Sequence, residues 1–333
     1  MDSKFRKWIV FTAIAFWATG VGQALDLKIM TFNIRNGSDH ADWNNRRAQV
    51  FALLKSSAPD IAGMQEVYKY QLDELLAALP GYAALGVGRD DGKTAGEYSP
   101  IFYRTALFKV DTSATFWLSE TPEIAGSKVP GAGSIRIDTW ARLRHIQSGQ
   151  TFYFHSTHWD NVSVEAQLLG AKLIAQRILD RKYKQDPVLF VCDCNALADE
   201  APVRYMLGDS GSPIAFYDAY LTLHPGVPGS ASFNGFKGDT LGQPIDHIMS
   251  FDSIPALDAR LIRDHIGAQY PSDHYPLMAT LRIPDATSGV APRPRLRKKS
   301  GGKAAVAEGI DAAGRLRPAG HGKIEAVLRL IAR

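Results

Sequence analysis

Val188-Leu189-Phe190-Val191-Cys192-Asp193-Cys194-Asn195 opens as an unbroken apolar run and closes on a carboxylate and an amide. A short apolar run of this kind reads as a buried strand. Side chains alternate across a strand, so Asp193 and Asn195 share one face and the two thiols share the other. A charged group and an amide thus look into one space at the carboxyl end of a core strand.

Working outward, further strands are expected at Leu27–Asn33, Ile61–Gln65, Pro100–Arg104, Thr139–Arg144, Thr151–His158, Ile245–Ser250 and Tyr275–Ile283. Two helical patterns interrupt them. One runs from about Asn44 to Ser57 and stops before Pro59; the other runs from Ser163 to about Lys182, with Ala166, Leu169, Leu173, Ala175 and Ile178 near one apolar stripe. Many strands with few helices in mixed order predict an α/β sandwich, with sheets packed together and helices outside.

The chain has 333 residues, 45% hydrophobic and 22% charged, which excludes a disordered chain, a multi-span membrane protein and a disulfide-stapled mini-protein. No repeat or long linker divides the stretch from Leu27 to Ile283, so one domain over 25–283 is expected. Residues 1–24 place Lys4, Arg6 and Lys7 before an apolar run and finish on Gly22-Gln23-Ala24, the pattern of a secretory signal peptide. A retained N-terminal anchor helix is the other reading, and both put the body outside the cytoplasm, in the periplasm or beyond. Residues 284–333 carry 11 basic and 4 acidic residues among Pro, Gly and Ala, as a disordered tail would. The body between leader and tail has 24 basic against 29 acidic residues. The basic balance of the whole chain therefore resides in its ends and does not mark the domain as a nucleic-acid binder. Cys192 and Cys194 are the only cysteines, and one intervening residue predicts free, packed thiols rather than a disulfide.

Six strand ends carry polar chemistry: Thr31-Phe32-Asn33, Gln65-Glu66, Thr157-His158, Asp193-Cys194-Asn195, Ile245-Asp246-His247 and Ser272-Asp273-His274. Each alone has an ordinary explanation as a turn or a cap. Their order and spacing together resemble the endonuclease/exonuclease/phosphatase superfamily, the DNase-I-like fold, over about 255 residues. Gly86 to Gly92, Ser99 to Arg104 and Phe116 to Pro122 look like a bacterial branch of it whose substrates are poorly defined. Two departures stand out: Cys192-Asp193-Cys194-Asn195 replaces the common Gly-Asp-Phe-Asn, and Ser156 to Asn161 replaces Asn-Thr-His-Leu-Asp-His.

The resemblance implies a four-layered α/β sandwich of two packed mixed sheets flanked by helices, with the active site at one edge. Hydrolysis of a phosphoester needs a cation to neutralise phosphoryl oxygens and a base for the attacking water. Hard oxygen ligands suit Mg2+ or Mn2+. Glu66 is the expected metal ligand, and by resemblance Asn33 and Asp273 share the metal region. By the same resemblance Asp193 orients or deprotonates water, Asn195 fixes the phosphate, His274 is the catalytic imidazole, and Asp246 orients and charges it. His158 is expected opposite them, as a cationic or donor imidazole facing the phosphoryl group. By alternation His155 is structural, and His247 is read likewise. Arg89, Lys93, Arg104 and Arg142 are candidates for a second phosphate or acidic group, and Trp159 for packing on substrate, although a buried Trp159 is the competing reading.

Three function classes remain: a hydrolase of small or lipid-linked phosphoesters, favoured by the mildly acidic body; a DNA or RNA nuclease; and a binding module with a dead site, which the full residue set argues against. A monomer without an obligate protein partner is expected.

Overall fold

The computed structural model describes residues 24–284 except 210, 252 and 253, with the backbone of 309–310 and 316–317. The expected leader and nearly all of the tail lie outside the described residues; within the tail, Gly309–Ile310 pairs antiparallel with Leu316–Arg317. Among the described residues no helix is long and apolar enough to cross a membrane.

The first part of the chain forms β1 (Leu25–Asn33), α1 (His40–Ser57), β2 (Ile61–Gln65), α2 (Lys69–Ala78), β3 (Tyr82–Leu85) and β4 (Ile101–Arg104). The second forms β5 (Phe108–Trp117), β6 (Ile137–His145), β7 (Thr151–His158), α3 (Val164–Asp180), β8 (Val188–Asp193), α4 (Ala201–Met206), β9 (Phe216–Asp218), α5 (Ala219–Leu223) and β10 (Asp246–Phe251). The chain then returns through β11 (Ala256–Leu261) and β12 (Leu277–Ile283). Two six-stranded mixed sheets result, ordered β11-β12-β1-β2-β4-β3 and β5-β6-β7-β8-β10-β9. Each holds one parallel pair, β1 with β2 and β7 with β8.

Alternation along the strands builds the layers. Leu27 and Ile29 of β1 meet Leu189 and Val191 of β8 in the core between the sheets, with Phe152, Phe154 and Ile248. The opposite rows, Met30 and Phe32 on one sheet and Val188 and Phe190 on the other, pack under α1 and α2 and under α3 and α4. The expected helix–sheet–sheet–helix sandwich is thus the observed one. The sheets approach closely at Gly63 of β2, where an added Cβ would lie 2.2 Å from Val191 Cγ2 and 2.6 Å from Ser156 Oγ.

Helix α1 begins before Asn44, because Asp39 accepts from the amides of Ala41 and Asp42 and nucleates a turn that the apolar pattern does not mark. Helix α3 starts after Ser163, whose hydroxyl accepts from Ala166 N. The cysteines face α3, as alternation requires, but they are joined to each other: their Cα atoms are 5.2 Å apart, inside the usual disulfide range. Free thiols were the wrong expectation, since two residues on one face of an extended segment already bring both Cβ atoms to the same side.

Candidate active site

The inward rows of both sheets continue past the apolar core into polar groups. Leu27 and Ile29 lead to Asn33, Phe152 and Phe154 to His158, and Leu189 and Val191 to Asp193, while Asp246 heads the antiparallel β10 directly opposite Asp193. The loop 272–274 enters at the same edge, tied down by Ser272 Oγ donating to Asn33 O at 2.6 Å. All eight residues expected in the catalytic and metal groups therefore converge on one edge of the sandwich. Three backbone positions there, Arg35, Glu66 and Asn195, have φ of 60°, 62° and 46°, a conformation that costs about 1–3 kcal/mol in a non-glycine residue and gathers where function requires it.

Asn33 bridges the sheets, its Nδ2 donating to Glu66 Oε1 at 3.0 Å and to Asp193 Oδ2 at 2.8 Å. Asp193 Oδ1 accepts from the Asn195 amide at 3.0 Å, and Asp193 Oδ2 lies 3.4 Å from His158 Nε2 and 3.6 Å from His274 Nε2. Burial and the neighbouring charge of Asp246 push the Asp193 carboxyl up to about 6. His274 Nδ1 is 2.8 Å from Asp246 Oδ2. Burial alone would weaken that imidazole as a base, but the charges of Asp246 and Asp193 outweigh it and raise its pKa to about 10. At neutral pH the ring is thus an imidazolium.

His158 departs from one expectation. Burial, reinforced by the charges of Arg136 and Arg89, drives its pKa well below the ordinary histidine value, so the ring is neutral and the expected cation is not there. Its Nε2 lies 2.8 Å from Asn195 Nδ2.

Glu66 Oε2 accepts from Asn36 N at 2.9 Å and Asn36 Nδ2 at 3.0 Å. Burial raises the Glu66 carboxyl, but hydrogen bonds from Asn33 and Asn36 and the charges of His274 and Arg35 overcome it and keep the group ionised. Arg35 places one guanidinium nitrogen 3.9 Å from Glu66 Oε2 and 3.6 Å from Asp273 Oδ2. A positive charge thus stands between two carboxylates, and hard oxygen donors around such a point fit a divalent cation. Asp193, Asp246 and His274 also have ligand atoms within 4.8 Å of one another, a spacing that could hold a metal, but the proton on His274 would have to leave first.

The expected substrate residues divide. Arg89 pairs with Glu97 at 2.6 Å, and its charge is felt at His158. Arg104 does not reach the site: β4 runs antiparallel to β2, so Arg104 meets Asp60 at the start of β2 while Glu66 follows its end. Arg142 sits four residues along β6 from Asp138, which pairs with Thr157, and is held by Asp111 and Asp186 over the Tyr183 ring. Trp159 is fully buried against Phe190, part of the core and not of a substrate wall. His155 and His247 are structural as expected, bonded to Asp138 at 2.9 Å and Asp218 at 2.7 Å.

Three supporting residues went unread in the sequence. Asn36 holds Glu66. Arg46 of α1 donates to Arg35 O at 2.8 Å and Pro271 O at 3.0 Å, fixing the two loops that carry Arg35 and Asp273. Arg136, ahead of β6, is buried under Asn161, to whose Oδ1 its Nη2 donates at 3.0 Å, and its charge is felt at His158. None stands in a motif, and only the packed loops reveal them.

The Endonuclease/Exonuclease/phosphatase family model matches residues 30–274. No curated protein matches the chain. Among solved structures it resembles a Bacteroides vulgatus endonuclease/exonuclease/phosphatase at 32% identity, covering 78% of this chain and 100% of that one, with a TM-score of 0.71. A Bacteroides thetaiotaomicron protein of the same family gives 30% identity, 79% and 99% coverage and a TM-score of 0.71. A mannosyl-6-phosphatase of Bacteroides thetaiotaomicron gives 30%, 77% and 99%, and 0.68.

Proposed function

This chain belongs to the endonuclease/exonuclease/phosphatase family, whose members hydrolyse phosphoester bonds, and on that premise we propose that it is an exported, Mg2+- or Mn2+-dependent hydrolase of small or lipid-linked phosphoesters. The observation that carries the reading is the convergence of Asp193 and the Asp246–His274 pair beside Glu66, with Asp193 Oδ2 3.6 Å from His274 Nε2 and Asn33 joining Asp193 to Glu66.

Asp193, an anion at neutral pH with its pKa near that of the medium, takes the proton of the attacking water. The His274 imidazolium, held by Asp246, faces the negative charge that grows on the phosphoryl oxygens, where a fixed cation is worth most. Asn195 Nδ2 donates to His158 Nε2 at 2.8 Å and to Trp159 O at 3.1 Å, which holds the His158 ring beside Asp193 on the second sheet. Water adds to phosphorus, the ester oxygen departs and takes a proton from solvent. Glu66 and Asp273 would hold the cation, and a bound divalent ion supplies further neutralisation of the phosphoryl charge. The mannosyl-6-phosphatase similarity and the acidic body support a small substrate over a polymer.

The full chain, assayed with magnesium against nitrophenyl phosphate, bis-nitrophenyl phosphate, plasmid DNA and RNA, tests this: turnover of the chromogenic esters with intact plasmid and RNA is expected. Cleavage of the polymers alone would make the protein a nuclease. Sequencing the N-terminus of exported protein checks the leader, with a mature chain beginning near Leu25 expected.

A further inference from the structure

Two buried histidines outside the catalytic edge are held by carboxylates, and they differ in one respect. His247 engages both ring nitrogens, with Nδ1 2.7 Å from Asp218 Oδ2 and Nε2 3.1 Å from Ala196 O. His155, 3% exposed, engages only one: Nδ1 lies 2.9 Å from Oδ1 of the fully buried Asp138, and Nε2 makes no hydrogen bond among the described residues. Nor is Nε2 shut in, for His155 lines a cavity of about 340 Å³. Polar atoms this deep are paired as a rule, so an unengaged ring nitrogen on a cavity wall has a bond to offer to whatever enters.

The cavity lies on the outer face of the second sheet, and its lining shares no residue with the catalytic edge. Alternation sends Phe152, Phe154 and His158 of β7 toward the first sheet and Tyr153 and His155 away from it, with Trp140 of β6 opposite His155 in register. Arg177, in the last turn of α3, and Lys182 and Tyr183 beyond it complete the wall. The half-buried Trp140 ring stands 5.9 Å from Tyr153 and 6.5 Å from His155, at 27° to the imidazole, so the floor is an aromatic shelf. Such a surface takes a planar ring face to face. The rim is cationic. Lys182 Nζ, 5.3 Å from the Tyr183 ring, has no carboxylate partner among the described residues, and Glu123, the partner of Arg177, is itself 71% exposed, a kind of pair that is worth little. Asp180, the carboxylate on the same lining, is engaged by Gln176 Nε2 at 2.8 Å.

We infer that this cavity is a second ligand site, for a planar polar ring that carries an anionic group, as a nucleoside monophosphate does. The ring rests on Trp140, its polar edge meets His155 Nε2, and the anionic group lies at Lys182 and Arg177. The volume is that of a small-ligand pocket, which runs to roughly 300–1,000 Å³. No catalytic residue takes part, so the inference stands apart from the hydrolase reading.

Calorimetry of the full chain in excess chelator, which strips the catalytic cation, compares AMP with adenosine, which lacks the anion, and with ribose 5-phosphate, which lacks the ring. AMP should bind once per chain with a Kd below about 1 mM. Adenosine should bind about fivefold more weakly or worse, and ribose 5-phosphate about tenfold or worse. Trp140→Ala should weaken AMP binding about tenfold or more, and Lys182→Gln about threefold while leaving adenosine unchanged. His155→Gln should weaken AMP and adenosine alike. With magnesium restored, Lys182→Gln should turn over nitrophenyl phosphate as wild type does. No AMP binding by wild type, AMP affinity untouched by Trp140→Ala, or ribose 5-phosphate binding as tightly as AMP would each overturn the inference. Should Trp140→Ala not fold, Tyr183→Ala, which removes a ring 42% exposed on the same wall, carries the comparison with Lys182→Gln. The isotherms need no turnover, so a protein that hydrolyses nothing would still decide the site.

Discussion

His274 presents Nδ1 to Asp246 Oδ2 at 2.8 Å, joining the loop ahead of β12 to the first residue of β10. Asp246 therefore fixes both the ring's orientation and its proton. Asp246→Ala and His274→Ala should each lower kcat by about 10²–10⁴-fold, and the double variant should be little worse than the more damaging single one. A double-mutant cycle measures this; additive losses would assign Asp246 another task.

The pH profile follows from His274 and Asp193, whose facing atoms are 3.6 Å apart. Asp193 works as an anion, so activity should rise as its proton leaves near pH 6; His274 works as a cation, so activity should fall as its proton leaves near pH 10. The two limbs belong to the coupled pair. Because the Asp246 charge raises both groups, Asp246→Asn should move both limbs of kcat/KM toward acid. A profile that stays in place would separate Asp246 from these titrations.

Glu66→Gln should abolish calorimetrically detectable magnesium binding and reduce turnover by about 100-fold or more in a protein that still folds, since the amide oxygen can still accept from Asn36 N and Nδ2 although its NH2 then faces the donor Nδ2 of Asn33. Excess chelator should silence wild type equally. Full turnover in chelator would remove the cation from the mechanism.

Gly63→Ala probes the contact beneath the site. The new methyl would press on Val191 and Ser156, forcing the sheets apart at a cost of about 1–3 kcal/mol or more. The thermal midpoint should drop by several degrees, and activity should fall beyond what that loss explains, because the 2.8 Å Asn33–Asp193 bond spans the same gap. Unchanged activity in the folded variant would show that the site tolerates sheet separation.

How far the sequence could be read depended on direction and depth. The polar ends of β1, β7, β8 and β10 were legible because alternation assigns a face without knowledge of partners, and the apolar residues ahead of Asn33 and Asp193 reveal which face is inward. Arg104 and Arg142 were misplaced because their position depends on strand pairing, which composition does not carry: antiparallel register sends Arg104 to Asp60, at the opposite end of β2 from the chemistry. Arg136 was invisible for a different reason. Its importance comes from burial beneath residues 160–163, some 25 positions away, and nothing local distinguishes it from a solvated arginine. The short strands β3 and β9 lack a pattern long enough to register.

The catalytic edge is assembled from both halves of the sandwich: Asn33 and Glu66 stand on one sheet, His158, Asp193 and Asp246 on the other. Neither sheet holds a working fraction of the chemistry. Turnover consequently counts docked molecules and not merely folded strands. Under mild denaturation, a population whose ladders persist while the faces drift apart would keep its far-ultraviolet circular dichroism and fall silent as a hydrolase. Hydrolysis is then the earliest alarm of interior loosening in this protein, sounding before any spectroscopic measure of secondary structure.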